Sequence, residues 1–125
     1  MDSIFGLLEK INQKPGLYLG SPSVTALRHF LVGYKFARQE MGIAPNELEL
    51  DFLHEFQPWL QRYFQIKTSN PWDKILLFKY VDEQTAFSRF FKLLEAFRDR
   101  DKSEDIDPNL FDDSDDYLKV NTKVV

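Results

Sequence analysis

The stretch DEQTAFSRFFKLLEAFR, residues 82–98, decides the fold. Phe87, Phe90, Phe91, Leu94 and Phe97 recur at helical spacing, and Ala86 and Leu93 widen the stripe. Arg89, Lys92, Glu95 and Arg98 take the other side. Asp82 is placed to cap the N-terminus, with Glu83 near the positive end of the helix dipole. A face this rich in phenylalanine is stable only under the cover of other segments, so helix 82–98 predicts the centre of a core.

The segments that could cover it lie upstream. Ile4, Leu7, Leu8 and Ile11 predict a helix over about 3–13, capped by Asp2 or Ser3. Pro15-Gly16 then reads as a type II turn, and Leu17, Tyr18 and Leu19 are too apolar for an open loop, so they should tuck under the bundle. Ser21-Pro22 reads as a cap followed by proline at the first helical position, with Ser23 as the other candidate. The helix it opens should run to about Met41, with Leu27, Phe30, Leu31, Tyr34 and Met41 on one side and Gly42 just beyond its end.

Residues 43–51 read two ways: Asn46 and Glu49 have capping-box spacing, yet Leu48, Leu50 and Phe52 alternate as in a strand. Phe52, Leu53, Phe56, Trp59, Leu60, Tyr63 and Phe64 form a broad helical face, and Pro58 within it predicts a kink or a fresh helix start. Thr68-Ser69-Asn70 is loop, and Asn70-Pro71 repeats the cap-then-proline signal with Asp73 following. The apolar run 74–81 fits a buried helix or a buried strand, and the cap favours the helix. The expectation is a mainly α, single-domain bundle of about five helices over 1–100, with an acidic, partly extended segment 101–125 that is not a separate domain.

Composition sets limits on function. There is no cysteine, which excludes disulfides, thiolate catalysis and cysteine zinc sites. No window approaches the ~18 apolar residues of a membrane span. The first residues also lack the basic and apolar regions of a signal peptide, so a cytoplasmic protein that does not engage a membrane is expected. The net charge of -4 is unevenly placed: the first hundred residues carry +1 and residues 101–125 carry -5. That distribution disfavours nucleic acid as a partner, because a phosphate backbone needs a cationic surface.

The chemistry-bearing motifs are sparse. Lys14 to Ser21, KPGLYLGS, resembles the R-P-G-M-Y-I-G-S stretch of the gyrase-type ATPases. In that family the following helix carries an acidic base and a magnesium-holding Asn. Here residues 27–40 hold no Asn and no acid before Glu40, and the Gly-rich lid motifs are missing, so the stretch reads as a turn. Asp105, Asp107, Asn109, Asp113 and Asp116 fall at EF-hand-like spacing. Leu110 stands where that loop needs Gly, so a solvated acidic segment is the better reading and no cofactor or metal is expected. His29 and His54, the only histidines, match no zinc-helix spacing.

A second resemblance runs along residues 14–98. The turn Lys14 to Gly20, the F-x-x-W-L helix at Phe56 to Leu60, Pro71-Trp72, and the closing F-x-x-L-L-x-x-F at Phe90 to Phe97 occur in this order. The arrangement resembles a group of small uncharacterised bacterial proteins, some of them similar to immunity proteins, which neutralise secreted toxins by binding them. The resemblance implies no catalytic residues.

The expectation is therefore a non-enzymatic protein-binding protein, of the immunity type. Asp101, Glu104, Asp105, Asp107, Asp112, Asp113, Asp115 and Asp116 would cover a basic site on another protein such as a toxin. The competing reading is a small-molecule binder or enzyme with an aromatic pocket of Trp59, Tyr63 and Trp72 between helices. A third is a homo-oligomer formed through the β-forming end YLKVNTKVV.

Overall fold

The computed structural model describes residues 3–105, and its centre is the helix anticipated from residues 82–98. Six α-helices follow one another: α1 (Ile4–Gln13), α2 (Pro15–Leu19), α3 (Val24–Glu40), α4 (Glu47–Phe64), α5 (Trp72–Tyr80) and α6 (Glu83–Arg98). A 3-10 turn, Lys102–Glu104, closes the described chain, which contains no strand. Helix α6 packs against α3, α4 and α5, while α1 and α2 close the side beside α3. Phe90 and Phe97 are fully buried, with Phe90 5.6 Å and Phe97 5.4 Å from Phe56 of α4, ring centroid to ring centroid. Both pairs meet edge to face, the favourable arrangement for aromatic quadrupoles.

Side chains at the helix starts explain why the elements begin where they do. Asp82 Oδ1 accepts from Thr85 N–H at 2.7 Å, so α6 has the cap its sequence promised. Ser3 caps α1. Ser23, not Ser21, caps α3: its Oγ accepts from Ala26 N–H at 3.0 Å and donates to Glu83 at 2.9 Å. At the end of α3, Gly42 N–H donates to Gln39 O and Ile43 N–H to Arg38 O, and Gly42 adopts φ +74°. This double-bonded ending suits glycine because no Cβ opposes the left-handed backbone.

Several local expectations are corrected. Pro15-Gly16 is not a type II turn; Pro15 opens α2, and the left-handed break falls at Gly20, φ +83°. Proline's fixed φ suits either the second position of a turn or the first of a helix, so the dipeptide alone could not distinguish them. Tyr18 and Leu19 pack on the core, but Leu17 remains 73% exposed. Met41, expected on the inner side of α3, is exposed.

The capping-box reading of Asn46 and Glu49 wins over the strand, and α4 runs unbroken through Pro58, with no fresh start there. At α5, Pro71 itself occupies the N-cap position and no side chain caps the helix. Asn70 instead donates its N–H to Thr68 Oγ1 and accepts from Gln57 through its carbonyl. Residues 74–80 are helical, which removes the strand alternative.

Between α5 and α6 the chain turns sharply at Val81, φ +77° and ψ −51°, with Asp82 N–H donating to Tyr80 O at 2.9 Å. This is a γ-turn of the rarer, strained hand, and a β-branched residue is ill suited to it.

Candidate protein-binding surface

The end of α6 is fastened to α4 by Arg100, whose side chain is 6% exposed. Its Nη2 and Nη1 donate to the two Asp51 oxygens at 2.8 and 3.1 Å. Its Nε and Nη2 donate to Asp105 at 2.7 and 2.8 Å. The guanidinium also lies 3.9 Å from the centre of the Phe97 ring. Arg62 reaches Asp105 from the other side, at 3.3 Å. The hydrogen bonds from Asp105, and next those from Asp51, raise the Arg100 pKa against the opposing effect of burial. The Arg100 guanidinium in turn holds the Asp105 carboxyl below its usual range.

Asp105 was expected to face a partner; its carboxylate instead ties down the turn that begins the acidic segment. Asp101 is exposed and accepts from Ser103 N–H at 2.9 Å. Glu104 sits in the 3-10 turn. Asp107, Asp112, Asp113, Asp115 and Asp116 lie outside the described residues, as do YLKVNTKVV and all of the EF-hand-like loop except Asp105.

The aromatic trio is only partly brought together. Trp59 stacks against Phe56 and against Tyr63, with centroids 6.0 and 5.1 Å apart. Trp59 and Tyr63 line a hollow of about 330 Å³ beside Arg62, Arg100, Asp101 and Asp105. Trp72 lies elsewhere, stacked 4.8 Å from Phe90 and lining a groove between α3 and α4.

The structure sorts the carboxylates into two sets. Glu49 is 1% exposed and accepts from Ile4 N–H at 2.7 Å, Asn46 N–H at 2.9 Å and Arg38 Nη1 at 2.5 Å. Burial alone would raise its pKa; the Arg38 guanidinium and the two backbone donors overcome that and leave it below the usual carboxylate range. Glu83 joins α6 to α3 through Ser23 and Thr25, and Asp73, also 1% exposed, stands 3.5 Å from Arg28 Nε. These acids hold helices together.

Glu9, Glu95 and Asp99 form the second set. They are exposed, have no ion-pair partner among the described residues, and line one groove of about 480 Å³ between α1 and α6. Phe5 contributes to its wall, with Arg98 stacked 3.8 Å from the ring centre. Asp99 lines this groove, whereas Asp101, two residues on, lines the separate hollow beside Trp59 and Tyr63. Sequence reasoning missed this trio. Glu95 and Asp99 are one helical turn apart on the polar side of α6, which was a usable signal, but Glu9 carried none.

His29 and His54 are both exposed, and no group of three or more metal-ligating side chains occurs among the described residues. No helix among them is long and apolar enough to cross a membrane. Comparison with known protein families, with curated proteins and with solved structures returns no match to this chain.

Proposed function

We propose that this chain is a protein-binding inhibitor of the immunity type, which captures a basic protein, such as a toxin, with an acidic edge. The observation that carries the reading is the sorting of the carboxylates. Glu49, Asp51, Asp73, Glu83 and Asp105 are engaged inside the fold, whereas Glu9, Glu95 and Asp99 share one groove without cationic partners. In the sequence Asp99 is followed closely by Asp101, Glu104, Asp105 and the further acids up to Asp116. With three carboxylates against the one cation Arg98, the edge is net negative; such an edge steers a basic partner into encounter, and desolvated pairs at its centre slow release.

The test begins with a pull-down from host extract, followed by affinity measurement at several salt concentrations. Combining Glu9→Gln, Glu95→Gln, Asp99→Asn and Asp101→Asn should weaken binding and flatten its salt dependence. Unchanged affinity and slope would remove the proposed mode. The hollow beside Trp59 and Tyr63 supports a second reading, small-molecule binding, which quenching of tryptophan emission by a ligand would register.

A further inference from the structure

Helix α3 carries a second apolar stripe, on the side opposite buried Val24, Leu27 and Leu31. His29, Val32, Gly33, Phe36, Ala37 and Glu40 recur there at helical spacing, and all are exposed. Phe36 leaves 61% and Val32 51% of its surface in water, and neither belongs to the core. Gly33 stands in the middle of this 17-residue helix, where glycine weakens the helix because it has more backbone freedom to lose. A Cβ at that position would meet nothing within 4 Å, so packing among the described residues does not call for a glycine. His29 and Glu40, at the two ends of the stripe, have no hydrogen bond or ion pair among the described residues.

We propose that this face of α3 is the contact between two copies of the chain, packed antiparallel about a two-fold axis at the middle of the helix. The register follows from the positions of the residues. The pairs His29–Glu40 and Gly33–Phe36 are both symmetric about the peptide bond between Tyr34 and Lys35. Turned end for end, the stripe therefore meets itself. Phe36 of each copy lies over Gly33 of the other, where the missing Cβ leaves room for the ring. His29 of each copy faces Glu40 of the other, and an imidazole N–H can donate to the carboxylate in either protonation state. The steps of four, three and four residues through 29, 33, 36 and 40 are those of a two-helix seam, in which side chains of one helix enter gaps in the other.

An isologous contact repeats each favourable pair twice, which suits a face whose charged ends are opposite and whose centre is apolar. An exposed apolar patch rimmed by polar residues is the usual mark of such a site. The stripe runs for about 16 Å along α3. One helix from each copy makes a small interface, so the dimer exchanges with monomer and is not obligate. None of the residues that line the acidic groove between α1 and α6 belongs to α3, so self-association and capture of a basic protein use separate surfaces.

The test uses the full chain alone, so its result is separate from that of the pull-down. Sedimentation velocity over a concentration series should show a reversible monomer–dimer equilibrium. Phe36→Glu should raise the dissociation constant by about thirtyfold or more, because the ring sits at the centre of the contact and is used twice. Gly33→Ala should also weaken the dimer, yet raise the melting temperature of the dilute monomer, since alanine is the better helix former. A folding defect would not separate the two readouts in that direction. His29→Glu should weaken association, and adding Glu40→Lys should restore it. That recovery requires position 29 of one copy to face position 40 of the other.

A chain that stays monomeric at about 1 mM would overturn the proposal. So would a dimer that Phe36→Glu leaves intact, because its contact would lie on another face. Failure of Glu40→Lys to rescue His29→Glu would overturn the antiparallel register.

Discussion

Removing the Glu49 carboxylate should be among the most damaging single changes in this fold. Three separate pieces of chain meet at that side chain: the first N–H of α1, the N-cap of α4 and the guanidinium of Arg38 near the end of α3. Glu49→Ala would leave two backbone donors without their acceptor and Arg38 without its counter-charge. Breaking a buried ion pair from one side costs about 3–5 kcal/mol. Arg38 retains 12% exposure, and water can partly replace the lost partner, so about 4 kcal/mol is the expected loss. For a domain whose whole stability is about 5–15 kcal/mol, that is a large share. With a urea slope of about 2 kcal/mol per molar, the unfolding midpoint should fall by about 2 M.

Glu49→Gln keeps one oxygen acceptor, so it should cost roughly half as much at neutral pH. It also tests the charge. The folded pKa of Glu49 is depressed, so its contribution is fully present above the unfolded value of about 4.3 and is lost as the pH falls through the folded value. The gap between wild type and Glu49→Gln should therefore narrow as the pH is lowered from 7 towards 3. A midpoint shift below about 0.5 M for Glu49→Ala would refute the reasoning, and so would a gap that does not change with pH.

Two further perturbations address the chain's turns. Val81 is 82% exposed and sits at φ +77°, so Val81→Gly relieves strain while sacrificing little packing. The net gain, after the entropy of the added glycine, should be about 1 kcal/mol, read as a rise of about 4 °C in the calorimetric melting temperature. A fall would show that the Val81 side chain contributes more than its backbone costs. Arg100→Gln removes the fork that joins Asp51 to Asp105 and should cost about 2 kcal/mol, because both acids keep some contact with water. Hydrogen exchange at the Ser103 and Asp105 amides should accelerate while Phe90 and Leu94 stay protected. Unchanged exchange at those two amides would show that Arg100 does not fasten the turn.

How much of this could be read from the sequence depends on the range over which each signal acts. The α6 stripe, the Asp82 cap, the Asn46–Glu49 box and Gly42 beyond α3 are local patterns spanning a few residues, and all are present. Errors arose where one local signal permits two backbones. Pro15-Gly16 fits a turn or a helix start, and Ser21 and Ser23 both precede the same helix. Ser23 is favoured because Glu83, 60 residues away, accepts a bond from it. The bend at Val81 carried no signal at all, since valine is a poor choice for positive φ and only the packing of α5 against α6 imposes it.

The carboxylates show the same limit in the form that matters for function. Asp105 belongs to a run of acids, and by composition it is indistinguishable from Asp101 or Asp107. Arg100 and Arg62 turn it into a fastener, and that pairing depends on α4 lying beside the end of α6. Conversely, Glu9 and Asp99 are 90 residues apart and share a groove only because α1 lies along α6. A count of charge identifies the acidic part of the chain, but only geometry tells which acids are already satisfied. The free set, rather than the dense run alone, is where charge reversal should alter recognition without loosening the fold. The engaged set, Glu49 above all, should do the opposite. If Glu95→Lys destabilised the domain as much as Glu49→Ala, the division between holding and binding carboxylates would collapse, and the acidic edge with it.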